Sequence, residues 1–515
     1  MKNKHYALAN GTPCTEITAT VNGKPLRAAA GTSLAEIAHG ERPCGGHGKC
    51  GKCKVIATGA LSAPTEAEKQ LLTGAELARG VRLACMTYAL GDCEIIPPSR
   101  GKASILTAGA IPQPLTRPSF TRYGFAIDVG TTTLAARLYD GTGRLLAEAA
   151  MQNPQSTFGA DVITRIEAAL GGKANALAEA IRNAIDSLLN MLADRASIHT
   201  EEIDSGVITG NTVMLSLLTG ESVAPFSRAP FAADRLFGET LTAKSLGLTA
   251  LQKSTPVYLP PCISAFVGAD TVCAILATDL CKQNAAMLAD IGTNGEMAVW
   301  HNGILSVCST AAGPAFEGVG ISMGMQGAVG AIDRVERSGD ALLTHVIGNS
   351  EPKGICGSGL VDAVACMLDA ELLDESGYLE EDPFALHPSV LLTQQDIRML
   401  QLAKSAICAG LLTLLKEAEL SASAVPVLFI AGGFGHYLNK KSAARIGLLP
   451  KALAEKATTV GNAALVGASM LLLNKDLRET AVSLARSAHV ADLATSPIFS
   501  ELFMSCMMLD PAAET

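Results

Sequence analysis

The chain has 515 residues, which is too long for one ordinary domain and predicts roughly two to four domains. Its 40 Lys and Arg against 49 Asp and Glu give a formal charge of -9, without a basic cluster, so we expect no nucleic-acid partner. No long apolar run occurs near the N-terminus or later, which predicts a cytoplasmic protein with no membrane partner. The 14 cysteines then predict reduced thiols or metal ligands rather than disulfides.

The N-terminal part of the chain begins with strand-like sequence. An Asn22-Gly23 pair between two short stretches of strand pattern is typical of a β-hairpin with a tight turn. A Pro-rich stretch with little periodicity follows. We therefore predict a first domain over residues 1–98 and a linker over residues 99–121.

The rest of the chain alternates apolar strand-like runs with amphipathic helical segments such as residues 174–192, which indicates an α/β architecture. Residues 125–133 and 288–295 both contain a strand pattern, an Asp and a Gly-Thr turn. This repeat predicts a duplicated fold with one half over residues 122–285. The other half, with a C-terminal helical tail, is predicted over residues 286–515.

Four cysteines in the first domain have the spacing of an iron–sulfur site. They follow the pattern Cys44-x5-Cys50-x2-Cys53-x31-Cys85. The ligand loop also contains glycines, which allow the backbone to wrap closely around inorganic sulfide: Gly45, Gly46, Gly48 and Gly51. The spacing predicts a [2Fe–2S] cluster and single-electron transfer, and it resembles ferredoxins of the adrenodoxin type more than the plant type.

Two alternatives concern these cysteines. A zinc site usually has paired C-x2-C motifs, whereas only one such pair occurs here, between Cys50 and Cys53. Cys93 is close enough to Cys85 to be considered as a ligand, but its surroundings have the pattern of a terminal strand. We therefore keep the first four cysteines as the predicted ligands.

The two repeated motifs predict a nucleotide site. In each, a buried strand ends in a carboxylate, Asp128 or Asp290, that could hold Mg²⁺ or its water. The turns that follow offer N–H and hydroxyl groups to phosphate oxygens: Gly130, Thr131, Thr132, Gly292, Thr293 and Asn294. A third buried strand runs into Gly432, Gly433 and Gly435, where a nucleoside could lie against backbone. ATP with Mg²⁺ is the predicted ligand.

In this order, the three motifs resemble the phosphate-1, phosphate-2 and adenosine elements of the superfamily containing acetate and sugar kinases, Hsp70 and actin. Residues 357–363 and 461–468 look like its connecting helices. The resemblance implies an α/β ATPase of this type with two related halves. The expected fold class is this ATPase preceded by an α+β, β-grasp, ferredoxin-like [2Fe–2S] domain.

A ferredoxin-like domain fused to such an ATPase, with the further motifs of residues 210–214 and 313–318, resembles the reductive activators of corrinoid proteins over nearly the whole chain. The resemblance implies an ATP-hydrolysing enzyme that transfers one electron to the inactive Co(II) of a methyltransferase corrinoid protein, as in acetogen O-demethylation. It implies as partners that corrinoid protein and a low-potential donor such as a ferredoxin, flavodoxin or reductase, and it leaves a homodimer open. Asp128 and Asp290 are its expected catalytic residues, with Ser309 as a candidate cobalt contact.

Two other functions remain compatible with the sequence. A small-molecule kinase with a redox-regulatory ferredoxin domain would use a carboxylate such as Glu296 or Glu317 as its general base. Alternatively, the chain is an electron carrier or sensor whose ATPase part is degenerate. Neither alternative accounts for both predicted sites acting together.

Overall fold

A computed structural model describes residues 16–40, 42–97, 117–339 and 341–510. The chain divides into two compact units, each of two stretches: Met1–Arg100 with Gln155–Ala168, and Gly101–Pro154 with Ala169–Thr515. Residues 99–116 of the predicted linker lie outside the described residues. Its described end already packs on the second unit, because Arg117 forms a β-bridge with Asn474 and Ser119 N donates to Leu472 O at 2.9 Å.

The first unit is an α+β structure. Its strands are β1 Glu16–Val21, β2 Lys24–Ala29, β3 Thr32–Ser33, β4 Lys54–Leu61, β5 Val81–Leu83 and β6 Tyr88–Ile96. Its helices are α1 Leu34–Ile37, α2 Glu66–Leu71, α3 Gly74–Ala78 and α4 Val162–Ala168. The strands lie in the order β2-β1-β6-β4-β5, with β3 beside β6. The hairpin prediction is confirmed: β1 and β2 are antiparallel around Asn22 and Gly23, both with positive φ.

The second unit contains the remaining elements. Its strands are β7 Tyr123–Val129, β8 Thr133–Asp140, β9 Leu145–Gln152, β10 Ile203–Gly210, β11 Glu239–Thr242, β12 Pro256–Leu259, β13 Ala285–Ile291, β14 Gly295–His301, β15 Ile304–Thr310, β16 Ala331–Ser338, β17 Ala341–Val346, β18 Gly354–Ile355, β19 Phe384–His387, β20 Val390–Leu392, β21 Leu428–Ala431, β22 Ala457–Gly461 and β23 His489–Val490. Its helices are α5 Ala174–Ala196, α6 Thr212–Thr219, α7 Ala243–Leu246, α8 Ala269–Ala277, α9 Gly357–Asp369, α10 Gln394–Glu417, α11 Gly433–Tyr437, α12 Lys440–Arg445, α13 Lys451–Glu455, α14 Ala463–Leu473, α15 Leu477–Ser487 and α16 Pro497–Ser505.

The predicted duplication is present in the two large sheets of this unit. One has the strand order β11-β12-β10-β7-β8-β9 and the other β22-β21-β13-β14-β15-β23. Both β7 and β13 pair antiparallel with the next strand on one side and parallel with a later strand on the other. Asp128 and Asp290 are each the penultimate residue of the corresponding strand. The repeated sequence motif therefore marks equivalent positions in two related sheets.

The two halves of this unit are joined by a close helix contact. Helix α14 packs against α8, and both helices are largely buried. A Cβ atom at Gly467 would lie 2.0 Å from the carbonyl oxygen of Cys273, so only glycine fits at this crossing. The sequence pattern identified α14 as a connecting helix but not α8.

Gly467→Ala is expected to destabilise the second unit. The added methyl group forces the two helix backbones apart, and such overpacking typically costs about 1–3 kcal/mol. Urea unfolding followed by circular dichroism should show an earlier transition. Gly74→Ala is the matched control, because a Cβ atom there meets nothing within 4 Å. An unchanged midpoint for Gly467→Ala would show that α8 and α14 can move apart without a loss in the free energy of unfolding.

Helix α10 is the one described helix long and apolar enough to cross a membrane. Most of its residues are buried against the protein core, including Ile397, Leu400 and Leu411. Its N-terminus is capped by Thr393, which forms a capping box with Asp396. The helix is thus a buried helix of the protein core.

Candidate functional site

The four predicted ligand cysteines converge in the first unit as two pairs. Cys53 Sγ lies 3.1 Å from Cys85 Sγ, and the Cys44 thiol is hydrogen-bonded to that of Cys50. Within each pair this hydrogen bond lowers the pKa of one thiol, Cys44 or Cys53, and raises that of its partner. A dinuclear cluster needs two thiolates on each iron, so paired sulfurs are the arrangement expected for it.

The backbone of the ligand loop is shaped for an anion. Backbone N–H groups of His47, Lys49 and Cys50 point at the Cys44 sulfur, which favours its thiolate form and helps to lower its pKa. The loop turns repeatedly through positive φ, at Gly45, Gly46, Gly48 and Gly51. These glycines therefore allow the wrapping that the sequence predicted.

A buried ion pair fixes the region that carries the fourth cysteine. Glu68 is fully buried and accepts hydrogen bonds from Arg82 Nε at 3.0 Å and from the Leu83 N–H at 3.1 Å. Thr87 Oγ1 also donates to Glu68, at 2.9 Å. These contacts hold the chain on both sides of Cys85, since its neighbours in sequence are tied to one carboxylate.

The pairing of the thiols bears on the zinc alternative. A tetrahedral zinc site requires four ligands at similar mutual distances around one ion. The four thiols lie as two hydrogen-bonded pairs, Cys44 with Cys50 and Cys53 with Cys85. Cys93 lies within β6 at 7% exposure, apart from either pair.

The second unit contains a cavity of about 700 Å³ where the two large sheets face each other. Most of the predicted site residues line it, from all three motifs: Asp128, Gly130, Thr131, Thr132, Asp290, Gly292, Thr293, Asn294, Gly432 and Gly433. The volume of the cavity suits a nucleotide. The polar turns that follow the central strands β7 and β13 both line it. The three motifs thus come together at one cavity, and ten of the predicted residues are among those that line it.

Two predicted residues do not line this cavity. A Cβ atom at Gly435 would lie 2.4 Å from Ile430 Cγ2, so this glycine serves helix packing instead. Ser309 lies on β15, opposite Glu296 in the strand register, and only Glu296 reaches the cavity. Gly435 was predicted to contact the nucleotide because of its place in the glycine-rich loop, whereas Ser309 was predicted as a cobalt contact and not as part of this cavity.

The cavity is rich in recessed carboxylates. Burial, reinforced by the charge of Asp270, raises the pKa of both Asp128 and Asp290 to about 7. Burial raises the pKa of Asp270 itself to about 6, and that of Glu296 well above its usual range. Several acids that repel one another in one cavity favour the binding of a cation.

Glu317 gives a more specific indication of a cation. Its Oε1 accepts a hydrogen bond from Thr293 Oγ1 at 2.8 Å, and burial raises the pKa of its carboxyl to about 7. Its Oε2 is buried and has no hydrogen-bond partner among the described residues. An unpartnered buried carboxylate oxygen is costly, so the donor set fits Mg²⁺ or a water bound to it.

Sequence reasoning missed several residues that line the cavity, and three of them are polar residues close to the predicted ones. Asp270 is the second residue of α8, Asn211 Nδ2 donates to Thr131 Oγ1 at 3.1 Å, and Asn462 Nδ2 donates to Asp128 Oδ2 at 3.0 Å. Both asparagines also cap helices, α6 and α14. A Gly-Asn pair before a helix is a detectable signal, whereas Asp270 is brought in only by the tertiary fold.

The sheets and the cavity define an ATPase-type fold of the acetate and sugar kinase/Hsp70/actin (ASKHA) class. Two family models match the chain: "RACo middle region" over residues 123–283 and "C-terminal domain of RACo the ASKHA domain" over residues 284–514. The fold class that the three motifs predicted for this part of the chain is therefore confirmed.

The similar proteins agree with these models. Corrinoid activation enzyme RamQ of Eubacterium limosum is 34% identical over 413 residues, which cover 74% of this chain and 69% of RamQ. The Co(II) methylated amine-specific corrinoid protein reductase of Methanosarcina barkeri is 25% identical over 415 residues, 74% of this chain and 76% of the reductase. A solved reductive activator for corrinoid,iron-sulfur protein aligns with a TM-score of 0.69 at 27% identity, covering 96% of this chain and 98% of that chain. The chain belongs to the RACo family.

Proposed function

We propose that the protein is an ATP-dependent reductive activator, which returns the inactive Co(II) of a methyltransferase corrinoid protein to Co(I) by supplying one electron. The observation that carries this proposal is the presence, in a chain of the RACo family, of two thiol pairs in one unit and a nucleotide-sized cavity in the other. The named relatives act on corrinoid proteins. We place it in the cytoplasm, in a system such as O-demethylation.

Four thiols would hold the electron carrier of this reaction. Cys44 and Cys50 would bind one iron, and Cys53 and Cys85 the other. A [2Fe–2S] cluster held there would supply one-electron transfer at about -400 mV in a ferredoxin-like setting. The first unit would then be a ferredoxin-like domain that takes its electron from a low-potential ferredoxin, flavodoxin or reductase.

The cavity would bind ATP with Mg²⁺. Asp128, Asp290 and Glu317 would hold the cation or its waters, while the N–H groups of the two Gly-Thr turns would bind phosphate oxygens. A gap of about 100 mV between donor and cobalt costs about 2.3 kcal/mol for one electron, which a change in nucleotide state can offset. This is the role that we assign to ATP.

The test is the visible spectrum of a Co(II) corrinoid protein mixed anaerobically with this protein and a low-potential reductant, with or without Mg²⁺-ATP. We expect Co(I) to form at least about tenfold faster with ATP. Equal rates and extents without nucleotide would contradict the proposal. Phosphorylation of a small acceptor in place of cobalt reduction would instead favour the kinase alternative, with Glu296 or Glu317 as its base.

Ser309 remains our candidate for a contact with cobalt. It is half-buried at the end of β15, next to Thr310, whose hydroxyl donates to Gly295 O at 3.4 Å. Because its side chain stands outside the nucleotide cavity, Ser309 could contact a partner protein.

The oligomeric state is a separate proposal, and a homodimer is compatible with both sites.

A further inference from the structure

A short segment inside the ATPase sequence belongs structurally to the first unit, which holds the four thiols and is called the cluster unit below. Residues Gln155–Ala168 follow β9 and precede α5 in the chain, yet they group with Met1–Arg100. The segment consists of a 3-10 turn at Pro154–Thr157 and helix α4. It connects directly, at both ends, to the unit that contains the nucleotide cavity.

The segment contacts the loop that bears the cluster ligands. Ser156 O accepts a hydrogen bond from the Arg42 N–H at 3.2 Å, and the Ala160 N–H donates to Pro43 O at 3.2 Å. Arg42 and Pro43 immediately precede the first ligand, Cys44. Two backbone hydrogen bonds therefore fix the start of the ligand loop. An exposed ion pair between Glu167 and His47 adds a weaker contact at 3.7 Å.

The N-terminal end of the segment is anchored to the phosphate loop of the cavity. Asn153 is fully buried, its N–H donates to Thr132 O at 2.9 Å, and its Nδ2 donates to Gly130 O at 2.9 Å. Gly130 and Thr132 both line the cavity. Only Pro154 separates this anchor from Gln155, so a single residue joins the cavity turn to the segment.

The segment is braced internally. Arg165 is fully buried, and its guanidinium donates to Gly159 O at 3.0 Å and to Gln155 Oε1 at 3.3 Å. Asp161 Oδ1 accepts from the Thr164 N–H at 2.8 Å at the start of α4. These bonds tie the two ends of the segment together. It can therefore move as one piece.

The C-terminal end of the segment has a compliant joint. Residues Ala169–Lys173 join α4 to α5 across a kink, where the backbone of Gly172 leaves the helical region. Gly172 has a φ of 90°, and Cβ atoms at Gly171 and Gly172 would meet nothing within 4 Å. This turn can absorb a change in direction without disturbing α5.

We propose that residues 153–168 are a coupling segment through which nucleotide binding at the Gly130–Thr132 turn loosens the ligand loop at Arg42–His47. The idea rests on the proposed function, because it takes a nucleotide as the ligand of the cavity and a cluster as that of the thiols. With nucleotide bound, the phosphate loop moves Asn153, the braced segment follows, and the bonds to Arg42 and Pro43 weaken. The freed loop can then approach a partner protein. Coupling between sites is typically about 5- to 150-fold, which two hydrogen bonds can transmit.

The test is hydrogen exchange by mass spectrometry on the full-length, cluster-loaded protein, with and without saturating Mg²⁺ and a non-hydrolysable ATP analogue. In the wild type, exchange of the amides at 42–47 should rise at least about fivefold with nucleotide. Asn153→Ala should abolish that response at saturating nucleotide. Asn175→Ala, an exposed residue on α5, is the matched control and should respond as the wild type does.

A second variant acts at the other end of the segment. Ala160→Pro removes the N–H that binds Pro43 O, so the ligand loop of this variant should exchange fast even without nucleotide. No nucleotide response in the wild type, or an intact response in Asn153→Ala, overturns the coupling. Thermal-shift binding separates the two proposals: nucleotide that binds without changing exchange refutes the coupling alone, whereas nucleotide that fails to bind refutes the proposed function and the coupling with it.

Discussion

Cys53→Ala is expected to abolish cobalt reduction, because it leaves one iron of the proposed cluster with a single thiolate. The visible absorbance of the cluster and its iron and sulfide content should fall at least about tenfold, since Fe–S clusters depend on their cysteine ligands. Nucleotide binding should persist, because the cavity lies in the other unit. Anaerobic reconstitution followed by visible and electron paramagnetic resonance spectra measures the loss.

Cys93→Ala is the matched control for this experiment. Cys93 is a buried cysteine of the same unit, but it lies on β6 and packs in the core. Its variant should keep the cluster spectrum and bind iron as the wild type does. Loss of the cluster in Cys93→Ala, or its retention in Cys53→Ala, would show that the ligand set is wrong. Stoichiometric zinc in place of iron would revive the zinc alternative.

Asp290→Asn is expected to weaken Mg²⁺-ATP binding at least about tenfold, as the loss of a group close to a metal commonly does. The wild-type affinity should depend on pH. With pKa values of about 7 for Asp128, Asp290 and Glu317, the acids are mostly protonated at pH 6 and mostly ionised at pH 8. Cation binding needs the ionised form, so the affinity should rise with pH over this range.

The free energy of unfolding of the ligand-free protein should change with pH in the opposite direction to the affinity for Mg²⁺-ATP. The folded state holds these protons more tightly than the unfolded chain does, so the contribution of these carboxyl groups to stability is fully present at low pH and is lost as pH rises from about 4 towards about 7. Mg²⁺-ATP removes the repulsion, and its stabilisation should therefore be larger at pH 8 than at pH 6. Thermal unfolding at both values, with and without Mg²⁺-ATP, measures the difference.

The control for this pair of measurements is Glu201→Gln, which changes a carboxylate on the surface that does not line the cavity. Its pH profile and its response to Mg²⁺-ATP should match the wild type. If Asp290→Asn also matches the wild type, the cavity does not bind the cation through this carboxylate. A stabilisation by Mg²⁺-ATP that is larger at pH 6 than at pH 8 would contradict the predicted pH dependence.

The sequence predicted the ATPase fold because its signals were local. Asp128 and Asp290 each follow a strand and precede a Gly-Thr turn, and their repetition revealed the duplication. The thiol spacing likewise placed the ligands on one loop plus Cys85. Gly435 was assigned to the nucleotide by its proximity to Gly432 and Gly433, and sequence proximity does not determine which way a residue faces the cavity.

The rest of the site depended on contacts between distant parts of the chain. Asp270 enters the cavity because Gly467 allows α8 and α14 to approach closely, and no pattern around Asp270 announces this. In the sequence, the segment Gln155–Ala168 has the position of a connection between a strand and a helix, yet it packs with the first unit. Its two hydrogen bonds to Arg42 and Pro43 involve backbone atoms, which any sequence supplies.

The two-part composition of the cluster unit has a consequence for biosynthesis. The stretch Met1–Arg100 is synthesised before Gln155–Ala168. The 68 residues from 101 to 168 then take roughly 3 to 14 s to synthesise. During this time the nascent ligand loop lacks the chain that will bond to Arg42 and Pro43. The proposed cluster would therefore be assembled while the loop is open, and the emergence of residues 155–168 from the ribosome would then close it. A fragment that ends at Arg100 should consequently lose its cluster to oxygen sooner than the full chain.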